Sequence, residues 1–418
     1  MSSGEDLPSP TAAVPRPVVR RHRKRTGLYV VIGVIVVVAV LVGVGASTGF
    51  FGLLRSSSST TVQLYYAPLP ASILAVDRAG LQTMTFDGAA IPTCTSSSCP
   101  TGVTLQGDGA QIAAPLLSAW ASAYSSQDGN QVNYPASGSG TGLTHFTDGS
   151  IDFAITDDPL TPAERAEMPA QPLTLPFVGG ALTIIYNLPG LSGHLNLTGA
   201  LLADIYNGTV TQWNDPAIQS INPGVTLPAA TIYTVHRSDA AGTTYVLSDF
   251  LSQSSPYWAA HVGKGISISF PSAPKQTAEK GNSLMISTVA ANPDSIGYSD
   301  LTDVLASASQ IQYASVQNPS GHFVVPTLAN TISAIDDKVS NLTNLHEIPT
   351  SAGDWFNVSM VNANGSADYP IATFIYMFVY QATDHGFAPT LAKSEVLVQW
   401  LEWTLTTGQA MADETPSG

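Results

Sequence analysis

The apolar and polar positions of this chain begin with a run that carries no charge from Gly27 to Leu54 and is dense in Val, Ile and Leu between Leu28 and Ala46. About 20 apolar residues cross a bilayer as a helix, so the run predicts one membrane span. Arg16, Arg20, Arg21, Arg23, Lys24 and Arg25 precede it and place the N-terminus in the cytoplasm. A cleavable signal peptide cut near Val44 or Ala46 is the competing reading, but its apolar region runs to only about 7 to 15 residues. Residues 1–26 therefore read as a basic cytoplasmic tail, 27–54 as the anchor and 55–64 as a Ser/Thr linker.

Beyond the linker the periods alternate between those of helices and strands. Ile73, Val76, Leu81 and Met84 come after Pro68-Leu69-Pro70 at helical spacing and predict a helix over 69–85. Val103-Thr104-Leu105 reads as a strand that turns through Gly107-Asp108-Gly109-Ala110 into a helix over Pro115 to Tyr124. Val132-Asn133-Tyr134 leads into Gly138-Ser139-Gly140-Thr141-Gly142, and Ile151 to Ile155 into Thr156-Asp157-Asp158. Short strands that end in Gly, Ser or Asp and feed helices form open α/β sheets, which bind ligands at the strand ends. Pro176-Phe177-Val178-Gly179-Gly180 predicts a break, an inter-lobe crossing, before a strand over Leu182 to Tyr186. Ile232 to Val235, Ser295 to Tyr298 and Thr373 to Tyr380 read as further strands, and Val396, Leu397, Trp400, Leu401 and Leu405 as a closing helix. The tryptophans Trp120, Trp213, Trp258, Trp400 and Trp403 read as core. A chain of 418 residues is long for one core and predicts two lobes.

Charged residues make up 11% and the formal net charge is −15, which argues against a nucleic-acid surface but not against a small buried anion. The two cysteines, Cys94 and Cys99, predict a small disulfide-closed loop outside the cell, with free thiols as the alternative. The eight histidines are scattered without ligand spacing, so no metal or cofactor is expected. One stretch does promise chemistry. In Val235 to Tyr245, a guanidinium at Arg237 offers a planar fork for an oxyanion, Asp239 is placed to orient it, and Gly242 lets the start of a helix approach closely. An ordinary surface ion pair at a turn would use the same residues.

Gly138-Ser139-Gly140-Thr141-Gly142, Asp152-Phe153-Ala154-Ile155-Thr156-Asp157 and Arg237-Ser238-Asp239-Ala240-Ala241-Gly242-Thr243, in that order, resemble the phosphate-binding proteins of ABC phosphate importers, the PstS family. Gly199 to Gly208, with Gln212-Trp213-Asn214-Asp215 behind it, strengthens the likeness, which runs from about Gly102 to Glu414. The resemblance implies an α/β, two-lobed periplasmic-binding-protein-like fold of type II with a hinge, here preceded by one transmembrane helix, and no catalysis. It implies Ser139, Asp157, Arg237, Gly242 and Thr243 as phosphate ligands, with Asp239 orienting Arg237. Two positions depart from the family. Gln111-Ile112 replaces a usual Thr-Phe pair and Ala241 a usual serine, leaving backbone N–H groups at Ile112 and Ala241 and a substitute amide donor at Gln111. Residues 65–178 and 372–418 are expected to form lobe 1, and 179–371 lobe 2.

The function implied is a monomeric, membrane-anchored extracytoplasmic phosphate receptor serving ABC permease subunits. The alternatives are a surface phosphate or oxyanion sensor or store, or a phosphate-ester hydrolase, which the lack of a nucleophile elbow or triad disfavours. The family's closing Tyr-Ala-Pro-Leu-Pro turn and last helix are expected at the front, as Tyr66-Ala67-Pro68-Leu69-Pro70 and the helix behind it. That arrangement is a circular permutation, which should pack the helix on lobe 1 and bring its start beside the chain's end near Glu414.

Overall fold

The computed structural model of the chain describes residues 64–95 and 97–412. The expected tail, membrane span and all but the last residue of the linker lie outside the described residues, as does Glu414. Among the described residues no helix is long and apolar enough to cross a membrane.

Strands β1 (Thr104–Gly109), β2 (Gln131–Asn133), β3 (Phe153–Thr156), β4 (Pro172–Asn187), β5 (Tyr233–Arg237), β6 (Gln276–Glu279), β7 (Ser295–Asp300) and β8 (Ala372–Tyr380) lie in one sheet in the order β2-β1-β3-β8-β4-β7-β5-β6, with the short strand Gln312–Tyr313 also paired to β4. β2, β1 and β3 run parallel at one end and β7, β5 and β6 parallel at the other; the β3–β8, β8–β4 and β4–β7 pairs between them are antiparallel. β4 joins the two halves. Its residues 172–181 pair with β8 and its residues 182–187 with β7. The helices that bear on the site and the core are α1 (Ala71–Leu81), α2 (Ala114–Asp128), α3 (Ser139–Thr147), α4 (Gly242–Ser254), α5 (Gly281–Ala291), α6 (Leu328–Leu345) and α7 (Leu391–Trp403).

Each half of the sheet has its own apolar interior. Ile184, Trp213, Phe250, Trp258 and Tyr298 belong to a buried cluster around β7 and β5. Around β1 and β8, Trp120 lies 6.4 Å from Trp400 and 6.1 Å from Trp403, ring centre to ring centre, and edge-on packing of this kind adds to the area buried. A third cluster joins Ala67 and Ile73 to Phe146, Ile335 of α6, Trp355 and Phe374 of β8. The segment 328–360, expected within lobe 2, therefore packs on the half that carries β1, β3 and β8.

Glycines account for two differences from the sequence reading. β1 continues through Gly107-Asp108-Gly109, which had the look of a turn. A Cβ at Gly107 would lie 2.2 Å from the Phe153 ring and one at Gly109 1.9 Å from Ile155 O, so these glycines let β1 and β3 press together. β4 likewise runs unbroken through Pro176 to Gly180, and the expected break is absent. The register against β8 shifts between Ile375 and Tyr376, leaving Phe177 as an extra residue in a bulge beside Pro176, where a strand tolerates proline. Gly179 makes room for α6, since its Cβ would sit 2.0 Å from Ile335 Cδ1.

The front of the described chain meets its end. α1 is shorter than the 69–85 expected, and Thr85–Phe86 pairs with Ala89–Ala90 as a small hairpin. Leu69 N donates to Gln409 Oε1 at 2.8 Å, Gln409 Nε2 donates to Phe177 O at 2.7 Å, and Arg78 donates to Leu405 O at 3.1 Å. α7 begins before the apolar spacing starts, because Thr390 caps it by accepting from Lys393 N at 3.1 Å. Cys94 and Cys99 are joined in a disulfide.

Candidate functional site

Strand ends and helix starts assemble the site. Gln111 and Ile112 lie just past β1, Asp157 just past β3, Arg237 closes β5, and α3, α4 and α5 begin at Ser139, Gly242 and Gly281. Helix starts present unpaired N–H groups and positive potential, so their convergence favours an anion. The eight residues expected as ligands, Gln111, Ile112, Ser139, Asp157, Arg237, Ala241, Gly242 and Thr243, line one small pocket together with Gly138 and Asn282. The two halves of the sheet close on it. Gly140 N donates to Ala240 O at 3.3 Å and Gly242 N to Ser139 Oγ at 3.1 Å.

Arg237 is buried and heavily engaged. Its Nε donates to Asp239 Oδ1 at 2.8 Å and its second terminal nitrogen to Asp239 Oδ2 at 2.6 Å; the first donates to Thr243 Oγ1 at 3.1 Å and to Asn282 Oδ1 at 2.7 Å. A guanidinium has five N–H groups, so the side expected to meet an oxyanion as an open fork is taken by Asp239 and one N–H remains. Burial works to raise the Asp239 pKa, but the hydrogen bonds and charge of Arg237 outweigh it and hold the carboxyl below its usual range.

Asp157 faces the opposite situation. It is 2% exposed, its Oδ1 has no hydrogen-bond partner in the protein, and burial pushes its pKa up to about 7 against the opposing pull of Arg237. It caps no helix, because Thr161 is the cap of the next one along the chain. A Cβ at Gly242 would lie 2.5 Å from Asp157 Cγ, so only glycine lets α4 start against this carboxyl. Its neighbour Asp158 is raised further, by burial first and then by Glu164 and Asp157.

Two expected donors behave otherwise. Ala241 lines the pocket, but its N–H donates to Ile266 O at 2.9 Å rather than toward a ligand. Gln111 Oε1 accepts from Asn282 N at 2.9 Å, which leaves the amide NH₂ as the group it can offer. His236 stacks on Phe270 with ring centres 4.3 Å apart, and burial lowers its pKa.

Sequence reasoning missed Asn282, Tyr298, Asp300 and Asp303. Tyr298 OH accepts from Arg237 N at 3.0 Å, while Asn282 Nδ2 donates to Asp300 and, at 3.1 Å, to Asp303. A signal was present: Glu279-Lys280-Gly281-Asn282 repeats the motif of a strand, a glycine and a polar helix start. Chemically, the pocket offers several donors, one cation and one buried carboxyl with an unpartnered oxygen, which suits a small oxyanion that carries a proton. Among the described residues no group of three or more His, Cys, Asp or Glu is placed to hold a metal ion.

The chain is similar to several known proteins. Residues 95–407 match the model of the PBP superfamily domain. The chain is 33% identical over 318 residues to the phosphate-binding protein PstS of Xylella fastidiosa, covering 75% of this chain and 80% of that one. It is also 33% identical over 315 residues to the phosphate-binding protein PstS of Pasteurella multocida, covering 74% and 84%. Among solved structures, a high-affinity periplasmic phosphate-binding protein, PfluDING, bound with phosphate, shares the fold with a TM-score of 0.50 at 21% identity over 70% of this chain and 83% of that one.

Proposed function

The chain belongs to the PBP superfamily and, within it, to the PstS phosphate-binding proteins, and on that premise we propose that it binds inorganic phosphate outside the membrane and delivers it to ABC permease subunits. The observation that carries this reading is Asp157, a buried carboxyl with an unpartnered oxygen, set against the start of α4 and beside Arg237. Ionised, it only accepts hydrogen bonds, so it admits an oxyanion that still has a proton to donate. The Ser139 and Thr243 hydroxyls, Ile112 N–H, the Gln111 amide and the remaining Arg237 N–H are the ligand's donors, Gly242 N–H turns to the ligand from Ser139 Oγ as the anion enters, and Asp239 orients the guanidinium. Binding involves no chemical step.

Two lobes meet at the pocket, with β4 and β8 as the hinge strands between them. We assign 65–178 and 372–418 to lobe 1 and 179–371 to lobe 2, with 328–360 packed back on lobe 1. The uncharged run 27–54 tethers the monomer in the membrane. We also propose that the domain is circularly permuted, so that α1 stands where the family's last helix does. The hydrogen bond from Leu69 N to Gln409 Oε1 supports this, because a permutation cuts the chain between residues that follow one another in the unpermuted family and so leaves the new ends side by side. The tether also favours a second reading, a surface sensor or store of phosphate without transport.

Calorimetric titration with phosphate and sulfate tests the ligand. Phosphate should bind at least about a hundredfold tighter, since an unpaired buried acceptor facing sulfate costs several kcal/mol. Comparable affinities for the two anions would overturn the reading.

A further inference from the structure

We propose that Gln111 is an affinity-determining residue that works across the cleft: its side chain caps α5 of the opposite half and so favours the closed pocket before any anion enters. Only the identity of the ligand rests here on the phosphate reading.

The first four N–H groups of a helix have no partner within it, and a side chain at the cap position commonly supplies one. Several other helices of the β5–β7 half do this for themselves. Thr198, Asp215, Ser255 and Asp300 each accept from an N–H of their own helix. At α5 the cap position is Lys280, which makes no such bond. Its leading N–H groups are met from outside the helix: Gly281 N donates to Asp239 Oδ1 at 3.3 Å and Asn282 N to Gln111 Oε1 at 2.9 Å. Asp239 lies on the same half as α5. Gln111 lies beyond β1, on the other half, so opening the cleft removes this cap. Gly281 is shaped to receive it, with φ at +79° and a position where a Cβ would stand 3.0 Å from Gln111 Nε2.

The cap also reaches the anion's cation. Asn282, whose N–H Gln111 holds, accepts from Arg237 at 2.7 Å through its own side chain. Closure through Gln111 therefore fixes the residue that fixes Arg237. Apparent affinity scales with the fraction of molecules already competent to bind, so a ligand-free bias toward closure tightens binding with no added contact to the ligand.

Hydrogen exchange of the full-length protein in detergent, read by mass spectrometry on peptides covering 279–285 with and without inorganic phosphate, tests the proposal alongside phosphate titrations. In phosphate-free protein the start of α5 should be protected, and Gln111→Ala should speed its exchange about three- to thirtyfold, the range set by loss of a cap. Saturating phosphate should restore protection in the variant, and its Kd should rise by at least that factor, since the amide's own contact with the anion is lost as well. Gln111→Glu keeps the accepting oxygen but brings a negative charge to the anion, so it should retain protection while losing affinity. Equal exchange of the α5 start in wild type and Gln111→Ala without phosphate would overturn the proposal, as would an unchanged Kd. If the wild type bound no phosphate, the ligand assignment would fall, and the phosphate-free exchange would still decide the cap.

Discussion

At the scale of single residues, Asp157 sets both a pH response and a selectivity. Burial places its pKa near 7, above the value of about 3.9 expected in an unfolded chain. A raised carboxyl favours the folded protein below about pH 4, and that contribution is lost as pH rises through about 7, because the buried group must then ionise. Its charge state also decides which anion fits. Protonated Asp157 donates a hydrogen bond, which sulfate can accept; ionised Asp157 can only accept, which sulfate cannot satisfy. The ratio of phosphate to sulfate affinity should therefore be largest near pH 8.5 and shrink toward pH 5.5, and a ratio that stays constant would remove Asp157 from the ligand. Arg237 supports a second expectation. A lysine at that position keeps the charge but cannot reach Asp239, Thr243 and Asn282 together, so Arg237→Lys should weaken phosphate binding by about 1.5–3 kcal/mol in calorimetry. Undiminished affinity would mean that the guanidinium geometry is irrelevant.

At the scale of elements, one amide makes three of the hydrogen bonds at the join between the two ends of the described chain. Gln409 accepts from Leu69 N and donates to Phe177 O and Thr404 O, all buried. Gln409→Ala would take this partner from one donor and two acceptors at once, and each group left unpaired costs about 1–3 kcal/mol. Denaturant unfolding should show a loss of roughly 2 kcal/mol or more, and an unchanged midpoint would show that α1 is not held there. The strand ends that form the pocket were legible in the sequence because an apolar run leading into Gly, Ser or Asp reports a local event. Gly107, Gly109 and Gly179 were misread as breaks for the opposite reason. They accommodate Phe153, Ile155 and Ile335, partners remote in sequence whose approach no local pattern records. Asn282 was missed because its partners come from three separate stretches of chain, at Gln111, at Arg237 and at Asp300 with Asp303. The engagement of the Ala241 N–H by Ile266 was hidden in the same way.

At the scale of the whole molecule, the question is how a binding domain of this family serves a membrane. Freely diffusing receptors meet a permease by collision. Tethering turns capture by the permease into an encounter at a high effective concentration, which lets a weak docking interface suffice. Such capture requires the run 27–54 to stay attached, and its uncharged length exceeds that of a signal peptide. In cells, the full-length protein should therefore sediment with membranes, resist extraction at alkaline pH and keep its N-terminal tail by mass spectrometry. Alkaline extraction releases peripheral proteins but not a helix that spans the bilayer, so the fraction is diagnostic. Recovery of a soluble chain that begins near Ala46 would replace the anchor with a signal peptide and leave a diffusing receptor, without disturbing the pocket.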